Sequence, residues 1–290
     1  MKLEGRNAIV TGGSQGLGYH IARHFLAEGA SVLICARHSE SLRRAASTLS
    51  SGAPERGPVL WEEADVTSEA DVDRVFQRAA KEWPGLDILV NCAGVAGPRG
   101  ELTGVDWQDW KRSTDINLYG TAYPCRLAAQ SMMARGYGKI INISGGGATK
   151  PLPSLSAYAA SKAGMVRLTE TLAVELQPHH VDVNAVAPGV LDTRIMQHFL
   201  EVKDQLGPGY EKEAERQSKD PMPAFDRAAQ LCVFLASAAS DGISGKLISA
   251  AWDPWETLES HREQLAGSDV YTLRRIVPED RGWVWKSSKS

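Results

Sequence analysis

The chain has 290 residues, 43% of them hydrophobic, enough to bury a sizeable core in one large or two small domains, which excludes a disordered polymer. The 32 Lys and Arg against 35 Asp and Glu give a net charge of −3, which argues against the broad basic field of a non-specific nucleic-acid binder and leaves only local sites for acidic ligands. No apolar run approaches the roughly 20 residues of a membrane span, and Glu4 and Arg6 stand where the apolar core of a signal peptide would lie, so the expectation is a cytoplasmic protein with no membrane or nucleic-acid partner. Cys35, Cys92, Cys125 and Cys232 are scattered without a C-x-x-C pair, so neither a disulfide framework nor a metal site is expected. The sequon Asn142-Ile143-Ser144 falls on an expected buried strand and is set aside.

Short β-branched runs predict strands at 7–11, 31–36, 59–64, 87–91, 139–144 and 181–187. Amphipathic patterns between them predict helices at 17–28, 40–49, 68–83, 107–134 and 157–176, with a later one at 224–239. Strands that alternate with crossover helices imply an α/β fold: a doubly wound, Rossmann-type parallel sheet in three α/β/α layers. No repeat or linker separates two cores. One domain is therefore expected over residues 1–250, with 251–290 as an extension.

The run TGGSQGLG at residues 11–18 follows the first strand and opens the first helix. In that context glycines let the backbone approach a pyrophosphate, and the helix N-terminus offers unpaired N–H groups, so a dinucleotide site is expected. The second strand ends in Ala36-Arg37. With Ala36 where an acid would bond the ribose 2′-hydroxyl of NAD, Arg37 offers a planar guanidinium for a 2′-phosphate, which favours NADP(H) over NAD(H); the alternative is a solvated charge. Tyr158 and Lys162 are four apart in a helical stretch and so share one face. A lysine ammonium beside a phenol favours the phenolate and brings its pKa down towards working pH, which suits proton transfer.

Taken together, TGGSQGLG, Asn91-Cys92-Ala93-Gly94, Asn117, Tyr158-Ala-Ala-Ser-Lys162 and Pro188-Gly189 resemble the short-chain dehydrogenase/reductase family, in its shorter single-domain branch, over roughly residues 2–250. The resemblance implies a nicotinamide cofactor, hydride transfer between a secondary alcohol and a ketone, and a homo-oligomer, a dimer or tetramer. It further implies a pyrophosphate loop of Thr11, Gly12, Ser14, Gln15, Gly16, Leu17 and Gly18. Asp65 and Val66 would lie at the adenine, and Asn91, Ala93 and Gly94 along the cofactor. Pro188 and Gly189 would bind the cofactor, and Thr193 would contact the nicotinamide carboxamide. Tyr158 would be the proton donor or base, Lys162 would hold the ribose, and Asn117 would fix a relay water.

Two departures stand out. The family's serine usually lies thirteen residues before the tyrosine, at a position occupied here by Gly145, and Ser144 one residue earlier is the expected substitute. The alternatives are a backbone N–H of the glycine run, Thr149, or an impaired site. Losing a donor to a developing oxyanion costs about a hundred- to a thousand-fold in rate, so a nucleotide-sensing protein without turnover also stays open. The second departure is the tail, which holds Trp252, Trp255, Trp283 and Trp285 amid Arg and Asp. Such a segment suits a subunit interface or a cap over a sugar-like substrate, for which an NAD-dependent sugar-alcohol dehydrogenase is the alternative. Residues 190–223 are polar and weakly periodic, as expected of a substrate lid or a plain surface hairpin.

Overall fold

The computed structural model describes residues 1–52, 59–191 and 222–285. Seven strands form one sheet: β1 (Asn7–Thr11), β2 (Ser31–Ala36), β3 (Leu60–Glu63), β4 (Ile88–Asn91), β5 (Gly138–Ile143), β6 (Val181–Ala187) and β7 (Leu247–Ser249). Their spatial order is β3-β2-β1-β4-β5-β6-β7, and every neighbouring pair is parallel. The order reverses between β1 and β4, so the carboxyl ends of these strands open a crevice of the kind that takes a ligand in doubly wound sheets.

The strands read as nearly continuous apolar runs because both faces are covered. On one face Ala8, Val10, Ile34, Val90 and Ile141 pack with Ile21 and Phe25 of α1 (Gly16–Ala27), Leu42 of α2 (Ser39–Gly52) and Leu231 of α7 (Ala224–Ala236). On the other face Ile9, Leu33, Leu89, Ile140 and Val183 meet Val75 of α3 (Glu69–Glu82), Met132 of α5 (Gly120–Arg135) and Leu176 of α6 (Ser156–Leu176). A residue and its strand neighbour therefore serve opposite layers, as the period of two requires.

The helix expected over 107–134 is divided. After α4 (Trp107–Thr114) the chain widens into a π turn (Asp115–Tyr119) before α5 begins. Single π turns inside helices cluster at functional sites, and this one carries Asn117.

The segment after Ala250 returns to the domain. Trp255, Leu258 and Leu265 join the same apolar cluster as α1 and α7, and Trp255 Nε1 donates to Ala250 O at 3.2 Å. The chain then passes the outer edge of β7, where Leu247 N donates to Tyr271 O (2.8 Å) and Lys246 Nζ to Ser268 O (2.8 Å) and Val270 O (3.1 Å). An edge strand exposes unpaired backbone groups, and the tail satisfies some of them. Trp283 and Trp285 stack on one another at the surface.

Candidate active site

The phosphate loop is held from below by side-chain and backbone contacts. Thr11 Oγ1 accepts from Cys92 N (3.0 Å) and Ala93 N (3.1 Å), which ties the end of β1 to the end of β4. Gly12 has φ +69°, and a Cβ on it would lie 2.9 Å from Ala93 N, so both conformation and space exclude a side chain. A Cβ on Gly18 would collide with Gly12 O. α1 starts at Gly16, and its N-cap Gln15 supplies no side-chain bond to the first turn. Those amides stay available to an anion. Ser14 is half-buried and Gln15 exposed, whereas the Leu17 side chain turns into the core.

Arg37 is exposed immediately after β2 and makes no hydrogen bond or ion pair with the described residues. Gly13 N donates to Cys35 O (3.2 Å), which fixes the end of β2 beside the loop. Asp65 Oδ1 accepts from Thr67 N (3.0 Å) and Thr67 Oγ1 (2.8 Å), so its carboxylate is engaged in the turn that leads to α3. Val66 is buried against Gly120, where a Cβ would lie 2.7 Å from Val66 Cγ2. Pro188 is buried beyond β6, and Gly189 follows with φ +86°. Thr193 lies outside the described residues, as does the expected lid apart from Val190, Leu191, Met222 and Pro223.

The centre of the site is a buried polar cluster. Asn117 Oδ1 accepts from Val95 N (2.9 Å), and its Nδ2 donates to Val95 O (2.9 Å) and Ser161 Oγ (3.1 Å). Both amide hydrogens are thus taken, and the side chain acts as a clamp between the loop after β4 and α6. Ser161 Oγ in turn donates to Tyr158 O at 2.9 Å. This serine was absent from the residues expected from sequence. Its only signal was its place one turn after Tyr158. Gly94 lies between the other groups, since a Cβ there would be 3.1 Å from Asn117 Oδ1 and 3.6 Å from Lys162 Nζ.

Lys162 Nζ donates to Ile143 O at 2.6 Å and lies 5.9 Å from the centre of the Tyr158 ring. Burial pushes the Tyr158 phenol up to about 12 and Lys162 down to about 8, the latter against an opposing pull from Cys92. The sequence predicts a phenol lowered by the lysine; in the structure the phenol is raised, and burial of the phenolate is the cause. Asn91 Nδ2 donates to Asn142 Oδ1 (2.9 Å) and Asn142 Nδ2 to Thr169 Oγ1 (2.9 Å), a chain from β4 through β5 to α6. Asn91 Oδ1 is buried with no partner among the described residues.

Ser144 follows β5, its amide donating to Val186 O at 2.7 Å, and its Oγ is buried without a partner among the described residues. Gly145 is the residue that meets Tyr158, for a Cβ there would overlap the tyrosine hydroxyl. A separate cavity of about 1510 Å³ opens at the far side of α6, between Glu170, Lys246 and Asp269, and contains none of these groups. Among the described residues no cluster of His, Cys, Asp or Glu is arranged to hold a metal, and no helix is long and apolar enough to cross a membrane.

Residues 6–204, more than half of the chain, match the model of the short chain dehydrogenase family. The chain belongs to that family. Galactitol 2-dehydrogenase of Agrobacterium fabrum is 33% identical over 263 residues, covering 88% of this chain and 99% of its own. Sorbitol dehydrogenase of Cereibacter sphaeroides is 31% identical over 267 residues, again covering 88% and 99%. Among solved structures, levodione reductase superposes with a TM-score of 0.77 at 26% identity, over 89% of this chain and 99% of its own. This short-chain dehydrogenase is accordingly a single-domain, Rossmann-type oxidoreductase of CH–OH groups that uses a nicotinamide dinucleotide. Its residues fit that cofactor on structural grounds: the cradle at Gly12 and Gly18 has no room for a Cβ, and the uncapped first turn of α1 faces it.

Proposed function

We propose that the enzyme interconverts a secondary alcohol and a ketone on a small, polar or sugar-like substrate, with NADP(H) preferred to NAD(H). The observation that carries the reaction is the convergence of Tyr158, Lys162 and Asn117 beside the glycine cradle. The bound dinucleotide supplies or accepts the hydride. In the reductive direction Tyr158 Oη donates a proton to the developing alkoxide, and burial keeps the phenol protonated through neutral pH. Lys162, cationic below about pH 8, places positive charge beside the phenolate that remains and holds the ribose. Asn117 fixes the loop after β4 against α6, and it is assigned the relay water that the family resemblance implies. Ser144, whose buried Oγ has a free hydrogen, donates to the reacting oxygen in place of the missing serine.

The dinucleotide is held by Thr11, Gly12, Ser14, Gln15, Gly16, Leu17 and Gly18 at the pyrophosphate. Asp65 and Val66 serve the adenine, and Asn91, Ala93, Gly94, Pro188, Gly189 and Thr193 the nicotinamide half. Arg37 supports the NADP(H) preference, because a guanidinium after β2 that binds no other group among the described residues suits a 2′-phosphate. The polar substrate is supported by the names of the relatives and by the start of the tail. Ala250 N donates to Ala187 O (2.9 Å) and Ser249 N to Asp253 Oδ2 (2.6 Å), so Trp252 and Asp253 stand at the carboxyl end of β6 and β7. The same names favour a second reading, an NAD-dependent sugar-alcohol dehydrogenase. A cytoplasmic dimer or tetramer belongs to the same proposal, with light scattering of the purified protein as its check.

Fluorescence titration with NADPH and NADH, repeated on Arg37→Ala, tests the cofactor. A preference for NADPH that Arg37→Ala reduces by about tenfold supports the assignment, at about 1.4 kcal/mol per tenfold change. Tighter binding of NADH selects the second reading, and binding of neither leaves the protein outside dinucleotide chemistry.

A further inference from the structure

Gly145 stands where the family carries a serine, and the surrounding packing explains why this chain has none there. The residue is extended, with φ 179° and ψ 172°, a conformation open to any amino acid. Backbone freedom is therefore not the reason for glycine. Space is the reason: a Cβ at this position would overlap the Tyr158 hydroxyl, and it would also lie 3.2 Å from Cζ and 3.4 Å from Cε1 of the ring.

The Gly145 backbone has no easy retreat, so an added side chain would push the tip of the tyrosine. The Gly145 backbone is held on both sides, by Ser144 N donating to Val186 O (2.7 Å) and by Ala148 N donating to Gly145 O (3.1 Å). The turn that follows is pressed onto α6, because a Cβ on Gly147 would lie 3.1 Å from Ala159 Cα and 2.9 Å from Leu152 Cδ1. Ala159 is the residue after Tyr158, so turn and tyrosine are fixed to the same stretch of helix. Tyr158 itself is buried, and Ser161 Oγ donates to its carbonyl oxygen. Dense interiors answer an added methyl group with strain instead of a smooth shift.

We propose that Gly145 is a positioning residue for Tyr158: it keeps open the space in which the tyrosine hydroxyl sits, so that a serine at this place would displace the proton donor and not assist it. The inference rests on Tyr158 being that donor. On this reading the hydroxyl comes from a neighbouring group, for which Ser144 is the proposed candidate.

The test is a cycle of Gly145→Ala and Gly145→Ser, each made in the native protein and in the Tyr158→Phe background, with melting temperature, nucleotide affinity and turnover as readouts. In the native background each substitution is expected to lower Tm by about 3 °C or more, the effect of a modest overpacking in a domain of this size. In the Tyr158→Phe background, where the overlapping oxygen is gone, the loss should fall to about half or less. Turnover should drop by about tenfold or more while nucleotide affinity stays within about twofold, a split expected when only the proton donor is misplaced. Equal Tm losses in the two backgrounds would overturn the proposal. So would Gly145→Ser with kcat at or above the native value, which would mark the glycine as a lesion. If the native protein turns over no alcohol or ketone, the functional reading fails, and the thermal cycle alone decides the packing claim. Should Gly145→Ser not fold, Gly145→Ala carries the comparison.

Discussion

The phosphate loop and the end of β5 each place a glycine where a side chain would collide, but the collisions differ in kind. At Gly12 the backbone is left-handed and the neighbour is another backbone, the amide of Ala93. Conformation and space act together, and the requirement is contained in one run of residues between a strand and a helix. At Gly145 the backbone is extended and the neighbour is the tip of a side chain on another element, Tyr158. The first glycine leaves a surface for the dinucleotide, and the second leaves room for the proposed proton donor. The first is recognisable by pattern alone; the second acquires meaning only when β5 and α6 are packed.

That difference is open to measurement at several scales. The largest expected effect lies at the end of β5. Ser144→Ala removes the proposed donor to the reacting oxygen and should lower kcat on the order of a hundredfold, with nucleotide affinity unchanged in a fluorescence titration. Unaltered turnover would remove Ser144 from the machinery and leave a backbone amide of the glycine run, or Thr149, as the donor. In the phosphate loop the pattern should invert. Gly12→Ala introduces strain of about 1–3 kcal/mol at a positive φ and a contact at 2.9 Å, so nucleotide affinity should fall about thirtyfold. An unchanged dissociation constant would mean that the loop's glycines serve the turn and not the ligand.

The smallest effect is a pH dependence of stability. Burial lowers Lys162 from 10.5 to about 8, so between these values the unfolded chain binds more protons than the folded one. The depressed pKa therefore costs stability in full below about pH 8, and the cost fades as pH rises towards 10.5. Lys162→Met should abolish this rise, which is on the order of 1 kcal/mol or more, in urea unfolding followed across that window. A native protein whose stability is flat from pH 8 to 10.5 would contradict the buried, desolvated lysine.

The same division governs what the sequence made legible. β1, β2 and β6 have the boundaries that their β-branched runs predict, because a strand buried on both faces is written locally. The long helix over 107–134 was legible as helical but not as broken. Its π turn accompanies the Asn117 amide bonded to Val95 and Ser161, and the close approach of Gly120 to Val66, contacts between segments far apart in the chain. The spacing of Tyr158 and Lys162 gave their shared face, yet spacing reports a neighbouring charge and says nothing of desolvation, so the direction of the phenol's shift came out reversed. The tail reads as an extension because it follows the last expected element of the domain. Trp255, Leu258 and Leu265 find their partners only on the finished surface of α1 and α7.

The most direct measurement of the account is Tyr158→Phe, assayed for both nucleotide binding and hydride transfer with a panel of polyols and cyclic ketones. The account predicts that the dissociation constants for NADPH and NADH stay within about twofold of the native values while turnover falls by about a hundredfold or more, the scale of a lost general acid. Turnover that survives the substitution, or nucleotide binding that is lost with it, would contradict the assignment of Tyr158 as the proton donor of this site.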